Sequence, residues 1–312
     1  MAILLNNHGY DNRSWFDALT AHLPDRPIHV YPDVDDLDSI RDDIEFAVVW
    51  DHPHGDLVRY PNLKGILLLG AGTEAIDTEI ELPDVPVARL VDPEVLGDMA
   101  LTALYWTIHF HRHHEQYRRQ QLDRHWERHA TSATSEFHVT VLGLGMVGRE
   151  VAGRLATNGF RTSGWDLIER ELDDVTCFAG HDALSAALGS ADVLVNCLPL
   201  SPDTEGFIGA DLLARLPAGA HVVNISRGGV VDDEALLAAL DSRRVAHAAL
   251  DVFAVEPLPD DSPYWTHPHV SVTPHMSGAT YARSAARLVA ANIARIEAGA
   301  DPIPKHVPTA LR

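Results

Sequence analysis

Short apolar runs alternate with amphipathic or polar segments along most of this 312-residue chain. In the first third, four such runs have the length and spacing of strands in a small α/β domain, at 2–5, 28–31, 45–50 and 65–70. A segment at 97–121, amphipathic at first and then basic and rich in histidine, predicts one long helix. The rest of the chain predicts further strands, at 138–142, 160–165, 192–197, 220–225, 246–252 and 269–273. It also predicts the helices between them, near 146–158, 182–188, 209–215 and 232–241, and a last helix at 278–298.

Strands that alternate with helices indicate a parallel, doubly wound sheet. Since this sheet is complete before the last helix, that helix is expected to return to the first domain. The predicted fold is therefore α/β, with a Rossmann-type sheet inserted into a smaller flavodoxin-like substrate domain. The substrate domain would comprise 1–96 and 286–312, the dinucleotide-binding domain 97–285, and the two chain crossings would form a hinge. A chain of this length supports two domains.

A glycine-rich turn follows the strand predicted at 138–142 and opens the next helix. Its sequence is Gly-Leu-Gly-Met-Val-Gly, and Asp166 ends the following apolar run 23 residues after Gly143. Glycines allow a tight turn and close approach to a pyrophosphate at a helix N-terminus, and the acid accepts hydrogen bonds from ribose hydroxyls. The alternative is a strand-to-helix turn without a ligand. The predicted cofactor-binding residues of this segment are Gly143, Gly145, Met146, Val147, Gly148 and Asp166.

Composition narrows the class of protein and its partners. Hydrophobic residues make up 46% and charged residues 22%, which is ordinary for a globular protein. The formal charge of −21 argues against nucleic acid or an anionic membrane, so an anionic substrate needs local positive groups. Cys177 and Cys197 have no metal or redox spacing, which predicts a reducing, cytoplasmic setting. The N-terminus has no basic leader, and no apolar stretch is long enough to span a bilayer.

Three candidate catalytic residues each follow a predicted strand in the second half: Arg227, Glu256 and His275. Ligands of open α/β sheets bind at the carboxyl ends of the strands. A histidine can protonate a carbonyl oxygen, an arginine can hold a carboxylate, and a glutamate paired with the imidazole orients it and favours its charged form. Each residue also has a simpler explanation. Arg227 could be a surface salt-bridge residue, Glu256 could mark the end of an element, and His275 could be structural.

A cluster of histidines lies on and after the long predicted helix, at His109, His111, His113, His114, His125 and His129. His109 and His113 are four residues apart, a spacing that can bind metal on a helix. The glutamate-containing zinc signature is absent, so the prediction is no metal site and a solvated or dimer-facing helix.

Several segments resemble the D-isomer-specific 2-hydroxyacid dehydrogenases, over nearly the whole chain. They are the run from Val141 to Asp166, the Arg227 segment, 249–253 and the His275 segment. Within that family the sequence is most similar to the glyoxylate/hydroxypyruvate reductase A branch. Features of this closer match are Val49-Trp50 with a following proline, Leu69-Gly70-Ala71-Gly72, Glu256-Pro257-Leu258-Pro259 and Ser262-Pro263-Tyr264-Trp265.

The resemblance implies roles for the candidate residues and an assembly. His275 would be the acid/base, Glu256 its partner and Arg227 the substrate clamp. The amides of Ala71 and Gly72 would hold the substrate carboxylate, although that segment also fits an ordinary strand-ending turn. The family further implies a homodimer joined through the cofactor domains and an active site in the interdomain cleft. Trp50 would contact substrate, with plain core packing as the alternative.

The resemblance also implies further cofactor-binding residues, namely Leu198, Pro199, Ser226, Asp251, His275 and Gly278. Asp251 would face the nicotinamide carboxamide, with a strand-end cap as the alternative, and Pro199 could instead be a simple loop stop. The reductase branch commonly has residues suited to a 2′-phosphate where this chain has Asp166. Because Glu169 and Glu171 add negative charge there, we expect NAD(H) to be preferred, with NADP(H) possible.

Taken together, the sequence predicts an oxidoreductase. It would transfer hydride from NAD(P)H to a small 2-oxoacid, such as glyoxylate or hydroxypyruvate, and give the D-2-hydroxyacid. The alternative is a nucleotide-sensing binding protein, similar to the NAD-regulated corepressors that resemble this family. Short termini without disordered interaction tails argue against that alternative.

Overall fold

The computed structural model describes residues 2–7, 12–32 and 37–308. The chain forms two compact units. Unit 1 comprises Met1–Val95 and Thr280–Arg312, and unit 2 comprises Leu96–Ala279. The boundaries predicted from the sequence lie one residue later at the first crossing and six residues later at the second. Met1 and 309–312, placed in the substrate domain by the prediction, lie outside the described residues.

The strands in chain order are β1 (Ala2–Asn7), β2 (Ile28–Val30), β3 (Ile44–Trp50), β4 (Gly65–Leu68), β5 (Val87–Ala88), β6 (His138–Leu142), β7 (Arg161–Asp166), β8 (Thr176–Ala179), β9 (Val193–Asn196), β10 (Ala220–Asn224), β11 (Val245–Leu250), β12 (Val270–Val272) and β13 (Lys305–His306). The helices are α1 (Arg13–His22), α2 (Leu37–Ile40), α3 (Glu74–Asp77), α4 (Pro93–His111), α5 (His114–Leu122), α6 (Met146–Thr157), α7 (Leu184–Leu188), α8 (Ala210–Leu213), α9 (Asp233–Asp241) and α10 (Ala282–Glu297). Short 3-10 turns lie at Leu57–Arg59, Thr134–Glu136, His181–Ala183, Gly228–Val230 and Pro263–Trp265.

Unit 1 contains a six-stranded sheet in the order β13-β5-β4-β3-β1-β2. Its strands are parallel except for β13, which runs antiparallel to β5. The order 2-1-3-4-5 is that of flavodoxin-like folds. On one face, α1 and α10 bury Trp15, Leu19, Val289 and Ile293 against the sheet. The last helix therefore returns to the first unit, as the sequence predicts.

Unit 2 contains a parallel seven-stranded sheet in the order β12-β11-β10-β9-β6-β7-β8. This is the dinucleotide-binding order 3-2-1-4-5-6, with β12 added at one edge. Both faces are covered: α4 and α6 pack on one, and α7, α8 and α9 on the other. Because both faces are covered, the central strands are mostly apolar, and polar residues within them, such as His138 and Thr140, are buried and hydrogen-bonded. The predicted Rossmann-type sheet is confirmed.

Some local predictions are wrong. The single helix expected at 97–121 is two helices, α4 and α5, because His113 takes a left-handed backbone (φ 56°) between them. The imidazole of His113 also bonds to the carbonyl of Ala130, which holds the break in place. The strands β5, β8 and β13 were not predicted, since β5 and β13 have two residues each and β8 is a half-exposed edge strand.

Candidate active site

The candidate residues of unit 2 follow strands that end at one level. Pairing in register joins Trp165, Leu142, Asn196, Asn224, Leu250 and Val272 into a row across the sheet. The glycine turn, Asp166, Leu198, Arg227, Asp251 and His275 each come one to three residues after a member of that row. Because the strands are parallel, these residues lie together at the carboxyl ends of the strands, which form the carboxyl edge of the sheet.

The three glycines of the turn are required for different reasons. Gly143 has a φ of 84°, a backbone conformation that other residues adopt at a cost. A Cβ at Gly148 would lie 1.7 Å from the Gly143 carbonyl oxygen, so only glycine lets α6 start so close to the turn. A Cβ at Gly145 would meet nothing within 4 Å. Packing within the described chain does not explain Gly145, whereas approach of a ligand from outside does.

Gly145 is also the N-cap of α6, and no side chain caps this helix. Gly145 and Met146 are exposed, and Val147 is half-buried. The backbone amides of the first turn therefore have no side-chain cap and lie at the positive end of the helix dipole. Such amides can bind a phosphate. The residues present therefore fit a dinucleotide.

Asp166, at the end of β7, lies beside this turn. Its carboxylate accepts hydrogen bonds from the amides of Leu144 (3.0 Å) and Ile168 (3.3 Å). The Arg170 guanidinium lies 3.4 Å from the same carboxylate. Asp166 is thus fixed where the sequence predicts a ribose-binding acid, in contact with Arg170.

Arg227 follows β10 in a turn fixed by a buried asparagine pair. The Asn196 amide donates to Asn224 Oδ1 at 3.0 Å, and the Asn224 amide donates to the Arg227 carbonyl at 3.0 Å. Ser226 donates from its hydroxyl to the Leu198 carbonyl at 2.5 Å. A Cβ at Gly228 would lie 1.8 Å from the Phe253 carbonyl carbon, so this turn packs directly on the loop after β11.

His275 and Glu256 are hydrogen-bonded, with 2.6 Å between the imidazole Nδ1 and the carboxylate Oε2. The other carboxylate oxygen of Glu256 accepts from the Phe253 amide at 2.9 Å, which fixes its orientation. About half of the His275 side chain is exposed. Because Nδ1 faces the carboxylate, Nε2 is the ring atom left to exchange a proton with a ligand.

Asp251 organises the loop that carries His275. Its carboxylate is buried and accepts from the hydroxyl of Thr273 (2.5 Å) and the amides of Met276 (3.0 Å) and Ser277 (2.8 Å). Its carbonyl accepts from the His275 amide, which helps to hold His275 in a left-handed conformation (φ 49°). The structure therefore shows the strand-end cap that the sequence left open for Asp251.

The remaining cofactor candidates of unit 2 lie in the loops at this edge. Leu198 is buried below the Gly143 turn, where its side chain would contact a Cβ at Gly143. Pro199 is exposed, and Gly278 is half-buried in a turn. Their contact with a cofactor stays a prediction.

In unit 1, Trp50 and the Gly70-Ala71-Gly72 segment lie at the ends of neighbouring strands. A Cβ at Gly70 would lie 2.4 Å from Cζ3 of Trp50, so the indole rests on the glycine. Trp50 also packs against the unit 1 core and remains half-buried. Core packing is thus one role of Trp50, and substrate contact stays a prediction.

The histidines of α4 and α5 lie away from the carboxyl edge. His111 is buried and bonds to the Ser132 carbonyl at 2.9 Å, so the expected solvated or dimer-facing setting does not hold for this residue. Burial lowers the pKa of His109. Within 2–7, 12–32 and 37–308, no three histidine, cysteine or acidic side chains are grouped to hold a metal ion. The described residues also include no helix long and apolar enough to cross a membrane.

Comparison with known families settles the class of protein. The model of a family described as D-isomer specific 2-hydroxyacid dehydrogenase, NAD binding domain, matches residues 104–277. The chain belongs to the D-isomer-specific 2-hydroxyacid dehydrogenases. It is accordingly an NAD(P)-dependent oxidoreductase, as the sequence predicts.

Solved structures of this dehydrogenase family are similar over the full length. A D-isomer specific 2-hydroxyacid dehydrogenase from Xanthobacter autotrophicus Py2, in complex with NADPH and MES, is 38% identical, with 98% of each chain covered and a TM-score of 0.93. The NADPH-dependent glyoxylate/hydroxypyruvate reductase of Sinorhizobium meliloti, in complex with NADP and sulfate, is 30% identical over 100% of each chain, with a TM-score of 0.92. A family protein from Klebsiella pneumoniae 342 is 34% identical, with 98% of this chain and 97% of that chain covered and a TM-score of 0.88.

Two residues that position the dehydrogenase site were missed in the sequence. Asn196 and Asn224 are fully or almost fully buried, and they link the turns after β9 and β10. Asn196 ends an otherwise apolar strand, and Asn224 ends a strand whose only other polar residue is His221. That pattern was the available signal, because a buried amide needs partners and a strand end supplies free backbone groups.

Proposed function

We propose that this dehydrogenase reduces a small 2-oxoacid, of the size of glyoxylate or hydroxypyruvate, to the D-2-hydroxyacid. The observation that carries the proposal is the His275–Glu256 pair at the same sheet edge as the glycine turn. The likeness to the Sinorhizobium meliloti reductase supports the substrate size.

In this proposal, bound NAD(P)H supplies a hydride to C2 of the substrate. His275 donates a proton from Nε2 to the carbonyl oxygen, while Glu256 holds Nδ1 and stabilises the imidazolium. Arg227 holds the substrate through its planar guanidinium, which suits a carboxylate and its neighbouring carbonyl oxygen. In unit 1, the amides of Ala71 and Gly72 bind the substrate carboxylate, and Trp50 contacts substrate.

Assays of NADH oxidation with glyoxylate, hydroxypyruvate, pyruvate and phenylpyruvate test the proposal. We expect turnover with the first two substrates and weaker turnover with the larger phenylpyruvate. Tight binding of NADH without turnover of any 2-oxoacid would contradict it and would favour a nucleotide sensor.

We also propose that NAD(H) is preferred over NADP(H). Asp166 is fixed beside the glycine turn, and Glu169 and Glu171 follow it, so a 2′-phosphate would meet negative charge. Two related structures contain NADPH or NADP, so a preference of this chain for NADH would set it apart from them. The ratio of kcat/KM for NADH over NADPH should exceed one and should fall in Asp166→Ser. A wild-type ratio below one would show that Arg170 outweighs the acids.

We also propose that the protein is a cytoplasmic homodimer. Both cysteines are free, which fits a reducing compartment. The dimer rests on the family resemblance, and light scattering at several concentrations measures it directly. A monomer at micromolar concentration would contradict the assembly without affecting the proposed reaction.

A further inference from the structure

Arg89 lies beside the turn at which the proposed function binds the substrate carboxylate. The turn 70–72 follows β4, and Arg89 follows the neighbouring parallel strand β5. The Leu90 amide donates to the Gly70 carbonyl at 3.0 Å, and the Arg89 amide donates to the Pro304 carbonyl at 3.0 Å. Backbone bonds on both sides therefore hold Arg89 at this place.

The Arg89 side chain contacts the turn itself. Its Nε donates to the carbonyl oxygen of Ala71 at 2.9 Å. That carbonyl and the amide of Gly72 belong to one peptide group, which is not among the cis peptides of the described chain. In a planar trans peptide the C=O and N–H bonds point in opposite directions. The guanidinium therefore turns the Gly72 N–H away from itself.

The amides of this turn remain available to a ligand. None of the hydrogen bonds among the described residues of unit 1 starts at the amide of Ala71 or Gly72. Both residues are only half-buried. Two neighbouring amides without an acceptor form a small anion-binding concavity.

Electrostatics gives Arg89 a second effect on the same peptide. A cation that donates to a carbonyl oxygen draws electron density from the peptide and strengthens the hydrogen bond that its N–H can make. In a chain with a formal charge of −21, a substrate anion needs such a local positive field. The Trp50 indole fixes Gly70 at the start of the turn, so both ends of the segment are constrained.

We propose that Arg89 is a positioning residue for substrate specificity: it orients and polarises the Ala71–Gly72 peptide so that this peptide selects a carboxylate. The inference rests on the proposed function, because it assigns the ligand of this turn to the substrate. Arg89 acts through the peptide and takes no part in proton transfer.

The test is steady-state kinetics of Arg89→Met and Arg89→Lys with glyoxylate. Loss of a charged hydrogen bond predicts that KM rises about tenfold or more in Arg89→Met while kcat and the Kd for NADH stay within about threefold. Arg89→Lys keeps the charge without the fixed Nε and should lie between Met and wild type. Arg41→Met, which changes an exposed arginine of the same unit, should match wild type. If Arg89→Met does not fold, Arg89→Lys carries the test.

A second readout separates positioning from general damage to unit 1. The Kd of oxamate and of its uncharged analogue oxamide, titrated calorimetrically into the protein–NADH complex, should respond differently. Arg89→Met should weaken oxamate about tenfold or more and change oxamide little. Equal weakening of both, or an unchanged KM for glyoxylate in a variant that turns over, would overturn the role of Arg89. If Arg89→Met weakens oxamate but not oxamide, and wild type reduces no 2-oxoacid, the proposed function fails and this inference stands.

Discussion

Histidines lie in different environments at the two ends of the unit 2 strands, the carboxyl edge and the amino edge of the sheet. At the carboxyl edge, His275 is half-exposed and lies 2.6 Å from the Glu256 carboxylate. At the amino edge, His221 and His247 are paired across β10 and β11, and His221 stacks on Phe110 with 4.2 Å between ring centroids. Burial lowers the pKa of His221 to about 3 and that of His247 to about 4. An acid partner and access to solvent thus distinguish His275, the proposed proton donor, from the two core histidines.

The largest expected effect comes from His275→Asn. Removing a general acid should lower kcat by about 10²- to 10⁴-fold, with the Kd for NADH nearly unchanged. Stopped-flow kinetics and fluorescence titration of NADH measure the two quantities. His247→Gln is the matched control at the other edge and should retain kcat. Normal turnover in His275→Asn would remove the catalytic difference between the edges.

The next effect should come from Glu256→Gln. Glutamine keeps the size of the side chain but removes the charge that stabilises the imidazolium. We expect kcat/KM to fall about tenfold to a hundredfold. Glu256→Asp keeps the charge at a longer distance and should fall less. Equal losses in both variants would indicate that Glu256 acts through packing rather than through its charge.

The carboxyl edge also contains a comparison between two glycines. Gly145→Ala adds a Cβ to open space and should leave the melting temperature within a few degrees while raising the Kd for NADH about tenfold. Gly148→Ala drives a Cβ into the Gly143 carbonyl and should destabilise unit 2 by more than about 4 kcal/mol. Thermal melts and NADH titration separate the two. Similar NADH affinity in Gly145→Ala and wild type would argue against close approach of the cofactor there.

The sequence predicted the positions at the carboxyl edge, where we propose that the reaction takes place, better than those at the amino edge. Strand ends, the glycine turn, Asp166 and the order of Arg227, Glu256 and His275 are local features, so pattern and spacing indicated them. The sequence did not decide between a cofactor contact and a strand-end cap for Asp251. The cap depends on hydrogen bonds to a loop 22 to 26 residues later in the chain. The burial of His221 and His247 depends on α4 packing across two strands, and neighbouring residues along the chain do not reveal it.

The break between α4 and α5 shows the same limit. The segment 97–121 has helical composition throughout, and its interruption arises where His113 contacts Ala130. This contact joins residues 17 apart, so the sequence of the segment itself does not reveal it. Arg89 was likewise invisible in the sequence, since only strand pairing places it beside the Gly70–Gly72 turn.

The smallest expected effect concerns the contribution of His247, at the amino edge, to stability in acid. His247 faces Glu115, which favours its charged form, and His269, His109 and Arg119, which oppose it, while desolvation is the largest influence. Its pKa is lower in the folded than in the unfolded chain, so the unfolded state binds the proton first. Stability should therefore be fully present above about pH 6.5 and decline as pH falls towards 4. Chemical denaturation of wild type at pH 7 and pH 5 should show this loss, about 2 kcal/mol at most from this residue.

A matched pair of variants isolates that contribution. His247→Gln cannot take up a proton, so the difference in unfolding free energy between pH 7 and pH 5 should shrink. Arg41→Met, which changes an exposed arginine of unit 1, is the control and should leave that difference unchanged. If both substitutions, or neither, reduced the pH dependence, the acid response would not come from His247. Equal kcat in wild type and His247→Gln, together with a smaller pH dependence of stability, would show that this buried histidine affects acid stability and not turnover.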